Sequence, residues 1–174
     1  MMEDYTFVVE DIISTRDING MKVLAEHSNG DKGLLQMLLN ASDDRWLAQK
    51  VAENCNADPE ILSELALSKS HFVRGAVARS CNGDEYILNL LVEDEHPYVR
   101  AEVASQCYGN KEIIDKLIGD AEWTVRDRLA AGCRGDEQVL KILSADENKN
   151  VQVAARKEMR KYGIKAPKKE EERE

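Results

Sequence analysis

A chain of 174 residues with 43% apolar side chains can bury one core, and it has room for one compact domain or one short repeat array rather than two domains. Scarce aromatics (5%), abundant charge (33%) and only three prolines favour helices over sheets. The formal net charge of −9 argues against a dedicated nucleic-acid binder, whose affinity for phosphate comes from clustered Lys and Arg, and no apolar run approaches the roughly 18 residues of a membrane span.

The opening "MMEDYTFVVEDIIS" is acidic where a secretory signal is basic, so the chain is expected to be soluble and cytoplasmic. Charge is uneven: residues 1–70 carry six basic against thirteen acidic side chains, residues 71–148 nine against fifteen, and residues 149–174 nine against five. The body is acidic and the end basic.

Residues 1–19 are expected to form an N-terminal capping helix, with Tyr5, Val8, Val9, Ile12 and Ile13 on one face. A repeat then runs through residues 20–163. "WLAQKVAENCNADPEILSEL" from Trp46, "FVRGAVARSCNGDEYILNLL" from Phe72, "YVRAEVASQCYGNKEIIDKL" from Tyr98 and "TVRDRLAAGCRGDEQVLKIL" from Thr124 follow one another at 26 residues. A weaker copy begins at Leu24 with one residue of slippage, and a half copy, "VQVAARKEMRKYG", begins at Val151.

Each unit shows helical periodicity twice. Val99, Val103, Ala104 and Cys107 share one face, and Ile113, Ile114, Leu117 and Ile118 share another. Between them Gly83, Gly109 and Gly135 can end a helix in the left-handed conformation, and Asp58, Asp84, Asn110 and Asp136 can cap the next. Pro59 and Pro97 suit a first helical residue. One helix pair cannot bury both stripes, so neighbouring pairs are expected to stack. Arg156, replacing a small alanine in the last copy, fits a C-terminal capping helix, and residues 164–174 read as a disordered charged tail.

The recurring "VRxxVAxxCxGDExILxxL" resembles the leucine-rich repeat variant family of HEAT-like repeats. The resemblance implies an all-α, right-handed α-solenoid of about five 26-residue helix-turn-helix repeats with capping helices at both ends, its second helices lining a concave face. The repeat is slightly longer than that family's usual unit. The N-terminal cysteine cluster of its iron–sulfur members has no counterpart, since residues 1–54 contain no cysteine.

Cys55, Cys81, Cys107 and Cys133 occupy one repeat position. Stacked helices lie about 8–10 Å apart, too far for a disulfide or a shared metal, so these are expected to be buried structural residues. Arg74, Arg100 and Arg126 fall inside the buried sector. They are read as a hydrogen-bonded ladder to the acidic turns at Asp94, Asp120 and Asp146, with a phosphate- or carboxylate-binding groove as the alternative.

Trp46, Phe72 and Tyr98 share a position opposite the core stripe, with Trp123 beside its next copy. They are either interface anchors or local packing at a helix entry. The second helices present Glu60, Tyr86, Glu112 and Gln138, with Ser63, Asn89, Asp115 and Lys141 one turn on, as either a solvated face or a surface tuned to a partner.

His27, His71 and His96 fall in different repeat phases and no catalytic motif occurs. No catalytic residue, cofactor or metal ligand is therefore assigned, and no enzyme activity is expected. The sequence reads as a scaffold that binds another protein. The alternatives are an acidic inhibitor or nucleic-acid mimic filling a basic groove, and a nucleic-acid binder using the basic end at Lys157, Arg160, Lys161, Lys165, Lys168 and Lys169.

Overall fold

Glycine recurs along the chain at 30, 83, 109 and 135, and each of these points separates one helix from the next. In a computed structural model that describes residues 2–56 and 58–165, with side chains from Val8 onward, twelve helices and no strand are found among the described residues. They are α1 (Met2–Ser14), α2 (Ile18–Glu26), α3 (Lys32–Ala41), α4 (Arg45–Asn54), α5 (Pro59–Leu65) and α6 (His71–Ser80). There follow α7 (Glu85–Leu91), α8 (Pro97–Gln106), α9 (Lys111–Leu117), α10 (Trp123–Gly132), α11 (Glu137–Ser144) and α12 (Lys149–Lys161). The protein is thus all-α over the described residues, and none of these helices is long and apolar enough to cross a membrane. From α4 on, alternate helices begin at Arg45, His71, Pro97, Trp123 and Lys149, a constant 26 residues apart.

The turn joining the two helices of a pair recurs almost unchanged. Asn29–Gly30, Asn82–Gly83, Tyr108–Gly109 and Arg134–Gly135 each place two successive residues at positive φ, the first near +50° and the glycine near +80°. The N–H of Asp31, Asp58, Asp84, Asn110 and Asp136 donates to the carbonyl three residues earlier, on Ser28, Cys55, Cys81, Cys107 and Cys133 at 2.7–3.2 Å. Two positive φ values closed by such a bond describe a type I′ turn, which Asn-Gly adopts with least strain. The same Asp or Asn then caps the following helix through its side chain, as Asp58 does for Glu60 and Ile61 and Asp136 for Gln138 and Val139.

The chain divides into two compact units, one ending at Leu91 and the other beginning at Val92. In the first, α4 packs between α2 and α6, while α3, α5 and α7 lie against the helices that precede them, and α1 covers α2 through buried Val9. Val8, expected on the covering face of α1, is half exposed, and the Tyr5 side chain lies outside the described residues. In the second unit α10 packs between α8 and α12. The core is built from the predicted stripes: Val73, Ala76, Val77, Ile87 and Leu88 in one unit and Val99, Val103, Ile113, Val125, Leu129 and Leu140 in the other are almost fully buried.

Helix α12 ends in a Schellman arrangement, with Gly163 at positive φ and the Ile164 N–H donating to the Met159 carbonyl at 2.8 Å. The charged tail expected over residues 164–174 lies, from residue 166 onward, outside the described residues.

α8 and α10 approach unusually closely at Gly132. Its carbonyl accepts from the Gly109 N–H at 3.0 Å, and a Cβ at this position would fall 1.8 Å from the Ala104 carbonyl oxygen. Gly132→Ala is expected to force the helices apart and cost about 2–3 kcal/mol in chemical denaturation. Gly119→Ala, where a Cβ meets nothing within 4 Å, is expected to change stability little.

Candidate functional site

The arginine position of the repeat has a common geometry. One Nη1 donates to the carbonyl six residues earlier: Arg74 to Ser68 at 2.7 Å, Arg100 to Asp94 at 2.8 Å and Arg126 to Asp120 at 2.6 Å. Gln152, at the same position in the last copy, reaches the Asp146 carbonyl at 2.6 Å. In the second unit the other edge of each guanidinium grips a carboxylate in bidentate fashion. Arg100 meets Asp120 at 2.6 and 2.9 Å, and Arg126 meets Asp146 at 2.7 and 2.9 Å. Each carboxylate also accepts a backbone N–H two residues on, from Glu122 or Asn148, and so shapes the entry to the next helix. Arg74 and Arg126 are buried and Arg100 is nearly so.

Hydrogen bonds from Arg126 hold the Asp146 carboxyl below the usual range. Burial opposes ionisation at Asp120, yet the hydrogen bonds from Arg100 and the Glu122 N–H outweigh it and lower that group too. A carboxylate whose folded pKa is depressed stabilises the fold above its unfolded pKa of about 4, and the stabilisation is lost as pH falls toward the folded value. Asp146→Asn is expected to cost about 3 kcal/mol at neutral pH, because the buried Arg126 then keeps only the solvent-exposed Glu147 carboxylate, at 3.4 Å, as counter-charge. Denaturation midpoints of this variant should also fall less steeply than wild type between about pH 4 and 2.

All four cysteines are free and buried. The thiols of Cys55, Cys81 and Cys133 lie 3.1–3.4 Å from the carbonyl three residues earlier, and Ser28 makes the same bond through its hydroxyl at 2.9 Å. Burial pushes the Cys81, Cys107 and Cys133 thiols above their ordinary value. Such thiols are poor nucleophiles. A disulfide-exchange reagent at pH 8 is expected to leave the native protein almost unmodified and to titrate four thiols per chain in denaturant.

The aromatic position behaves differently from copy to copy. Trp46 and Phe72, each the second residue of its helix, are 47% and 40% exposed and stack at 6.2 Å with an interplanar angle of 22°. The Arg45 guanidinium lies 5.0 Å from the Trp46 ring centre and 6.0 Å from that of Phe72, and the His71 ring tilts against Phe72 at 4.2 Å. Lys22, Gln49, Lys50 and Glu53 line a groove beside Trp46.

Tyr98 departs from the exposed position expected of it. It is partly buried, with its ring edge-on to His96, whose Nδ1 accepts the Tyr98 N–H at 3.2 Å as the cap of α8. The edge-on contact with the His96 ring covers part of it. Trp123, the first residue of α10, is 38% exposed.

On the second helices Tyr86 is 63% exposed. Asn89 is half-buried: its Nδ2 donates to the Glu85 carbonyl at 3.0 Å while its Oδ1 is enclosed without a partner. Glu112, Asp115 and Lys141 are exposed, with Glu112 paired to Lys116 and Lys141 to Glu137 one turn away. Arg45, Met37, Leu67 and Leu90 were not singled out from the sequence, yet all are exposed. Leu67 stands where other copies have Glu93, Gly119 and Ala145, a contrast available in the alignment of copies; Leu90 stands where they have Glu64, Lys116 and Ile142, the last also exposed.

His27 Nδ1 lies 2.8 Å from the Val23 carbonyl, and the three histidines are not clustered. Among the described residues no group of three or more His, Cys, Asp or Glu side chains is disposed to hold a metal ion. Comparison of the chain with protein families, curated proteins and solved structures finds no match in any of the three.

Proposed function

We propose that this chain is a non-catalytic scaffold that binds another protein across the surface of a helical-repeat solenoid. The repeats would be about five in number and right-handed, as in the leucine-rich repeat variant and HEAT-like arrays it resembles. Helix starts at a constant 26 residues and the recurring type I′ turn support the repeat reading. Four buried free thiols suit a reducing compartment such as the cytoplasm.

One observation carries the binding role. Trp46 and Phe72 stand half exposed as a stacked pair beneath the Arg45 guanidinium, while Leu47 and Val73, the next residue in each helix, are fully buried. Aromatic and arginine side chains presented together on a rigid helical platform are the usual anchors of protein interfaces. The acidic-mimic alternative is weaker, because signs alternate on this unit through pairs such as Lys22–Asp44, Lys32–Glu60 and Lys50–Glu26.

Trp46→Ala with Phe72→Ala should leave circular dichroism and the unfolding midpoint close to wild type, since both side chains are largely at the surface. The immobilised double variant should capture at least about tenfold less native partner than wild type, a loss of roughly 1.4 kcal/mol or more. Undiminished capture by a folded double variant would overturn the aromatic anchor.

A further inference from the structure

A second surface of the first unit is exposed, apolar and acidic at once. Lys32 on α3 reaches Glu60 on α5 at 2.6 Å and Gln36 reaches Glu64 at 3.1 Å, while α5 in turn packs against α7, so the three second helices form one row. Along that row four large apolar side chains are left in solvent: Met37 on α3, Leu67 just after α5, and Tyr86 and Leu90 one turn apart on α7. Leu67 is 80% exposed, the highest value among the large apolar residues. Single exposed leucines are ordinary, but four on one three-helix face are not.

Leu67 also lines a groove of about 540 Å³ with Leu39, Ala48 and Leu65, and the carboxylates of Asp43 and Glu64 border it. Lys69 is a cation in the same lining. The C-terminal end of α3 opens into the groove through Ser42, and the last carbonyls of a helix carry partial negative charge. Glu60 is 79% exposed, and its pair with Lys32 lies in solvent, where such pairs contribute little and exchange readily. Residues 1–91 hold eight basic and fifteen acidic side chains, so the field around this face is negative.

We propose that the α3–α5–α7 face docks a basic amphipathic helix of a partner protein. Leucine-type side chains would enter the Leu67 groove and cover Tyr86 and Leu90, with Lys or Arg between them on Glu60, Glu64 and Asp43. Apolar knobs separated by carboxylates demand a ligand with apolar residues every three to four positions and cations between them, which is the stripe of such a helix. Three helices at about 8–10 Å spacing span roughly 20 Å, the length of about 13 helical residues. The inference rests on the binding-scaffold reading but not on the Trp46–Phe72 pair.

The test uses the full chain and a fluorescein-labelled helical peptide of about 14 residues built from Lys and Leu, with anisotropy read at about 150 mM salt. Controls are the same peptide with Glu for Lys, and an oligolysine of equal charge. The Lys/Leu peptide should bind, the Glu/Leu peptide should not, and oligolysine should bind at least about tenfold more weakly. Leu67→Ala with Tyr86→Ala, and separately Glu60→Lys with Glu64→Lys, should each weaken binding about tenfold or more. Glu122→Lys with Glu137→Lys makes the same change in net charge at exposed positions outside the row of Glu60 and Tyr86 and should have little effect, and the Trp46→Ala/Phe72→Ala chain should bind the peptide as wild type does. Equal binding by oligolysine, or equal loss in the Glu122/Glu137 variant, would reduce the effect to net charge and overturn the proposal. So would indifference to both α3–α5–α7 variants; partner capture that depends on Trp46 and Phe72 would then still stand.

Discussion

Four helix pairs depend on a turn of four residues in which two consecutive backbones are left-handed. Asn29–Gly30, Asn82–Gly83, Tyr108–Gly109 and Arg134–Gly135 reverse the chain in the least length available, and the residue that closes the turn also starts the next helix. The turn therefore sets where both helices stop and start, and holds them to seven to ten residues in α4 through α10. Helices that short are marginal alone in water and persist only by burying a face. Where the first turn residue is not asparagine the strain is larger, and the Arg134 guanidinium rests on the Tyr108 ring at 4.1 Å across two such turns.

A second device ties the end of one pair to the beginning of another. In the second unit the Asp120 and Asp146 carboxylates serve three donors each: two from an arginine on a preceding helix and one from the backbone that enters the next. The pairing is nearly dry and fully hydrogen-bonded, so its value lies in fixing register more than in net stability. The first unit uses Ser68 where the second uses aspartate, and its serine hydroxyl accepts the Ser70 N–H in the same way. Arg74 keeps the bond to the residue-68 carbonyl.

Much of this was legible beforehand because the turn is local and the arginine position recurs in phase with the repeat. The NG, NGD and RGD turns, the Asp caps and the apolar stripes depend on residues a few positions apart, and the 26-residue spacing exposes them by repetition. What was not legible depended on neighbours across space. Tyr98 shares its repeat position with Trp46 and Phe72, but its ring meets that of His96, the cap of α8, edge-on and is partly buried. The Arg45 bracket over two rings joins side chains of different helices. Leu67 is apolar where later copies have Glu93, Gly119 and Ala145, while the Leu90 position is apolar again at Ile142, and only exposure separates surface leucine from core leucine.

The way the helices pair within each unit bears on how fast they assemble. The most extensive packings either skip a single intervening helix, as α2 with α4, α4 with α6, α8 with α10 and α10 with α12, or join consecutive helices, as α11 with α12. Contacts that local close only short loops, so little chain entropy is lost before packing begins to stabilise the growing structure. Helical proteins with this low contact order fold on the microsecond-to-millisecond scale. An acidic chain of this kind can reach its buried state before its thiols and apolar stripes spend long in solvent.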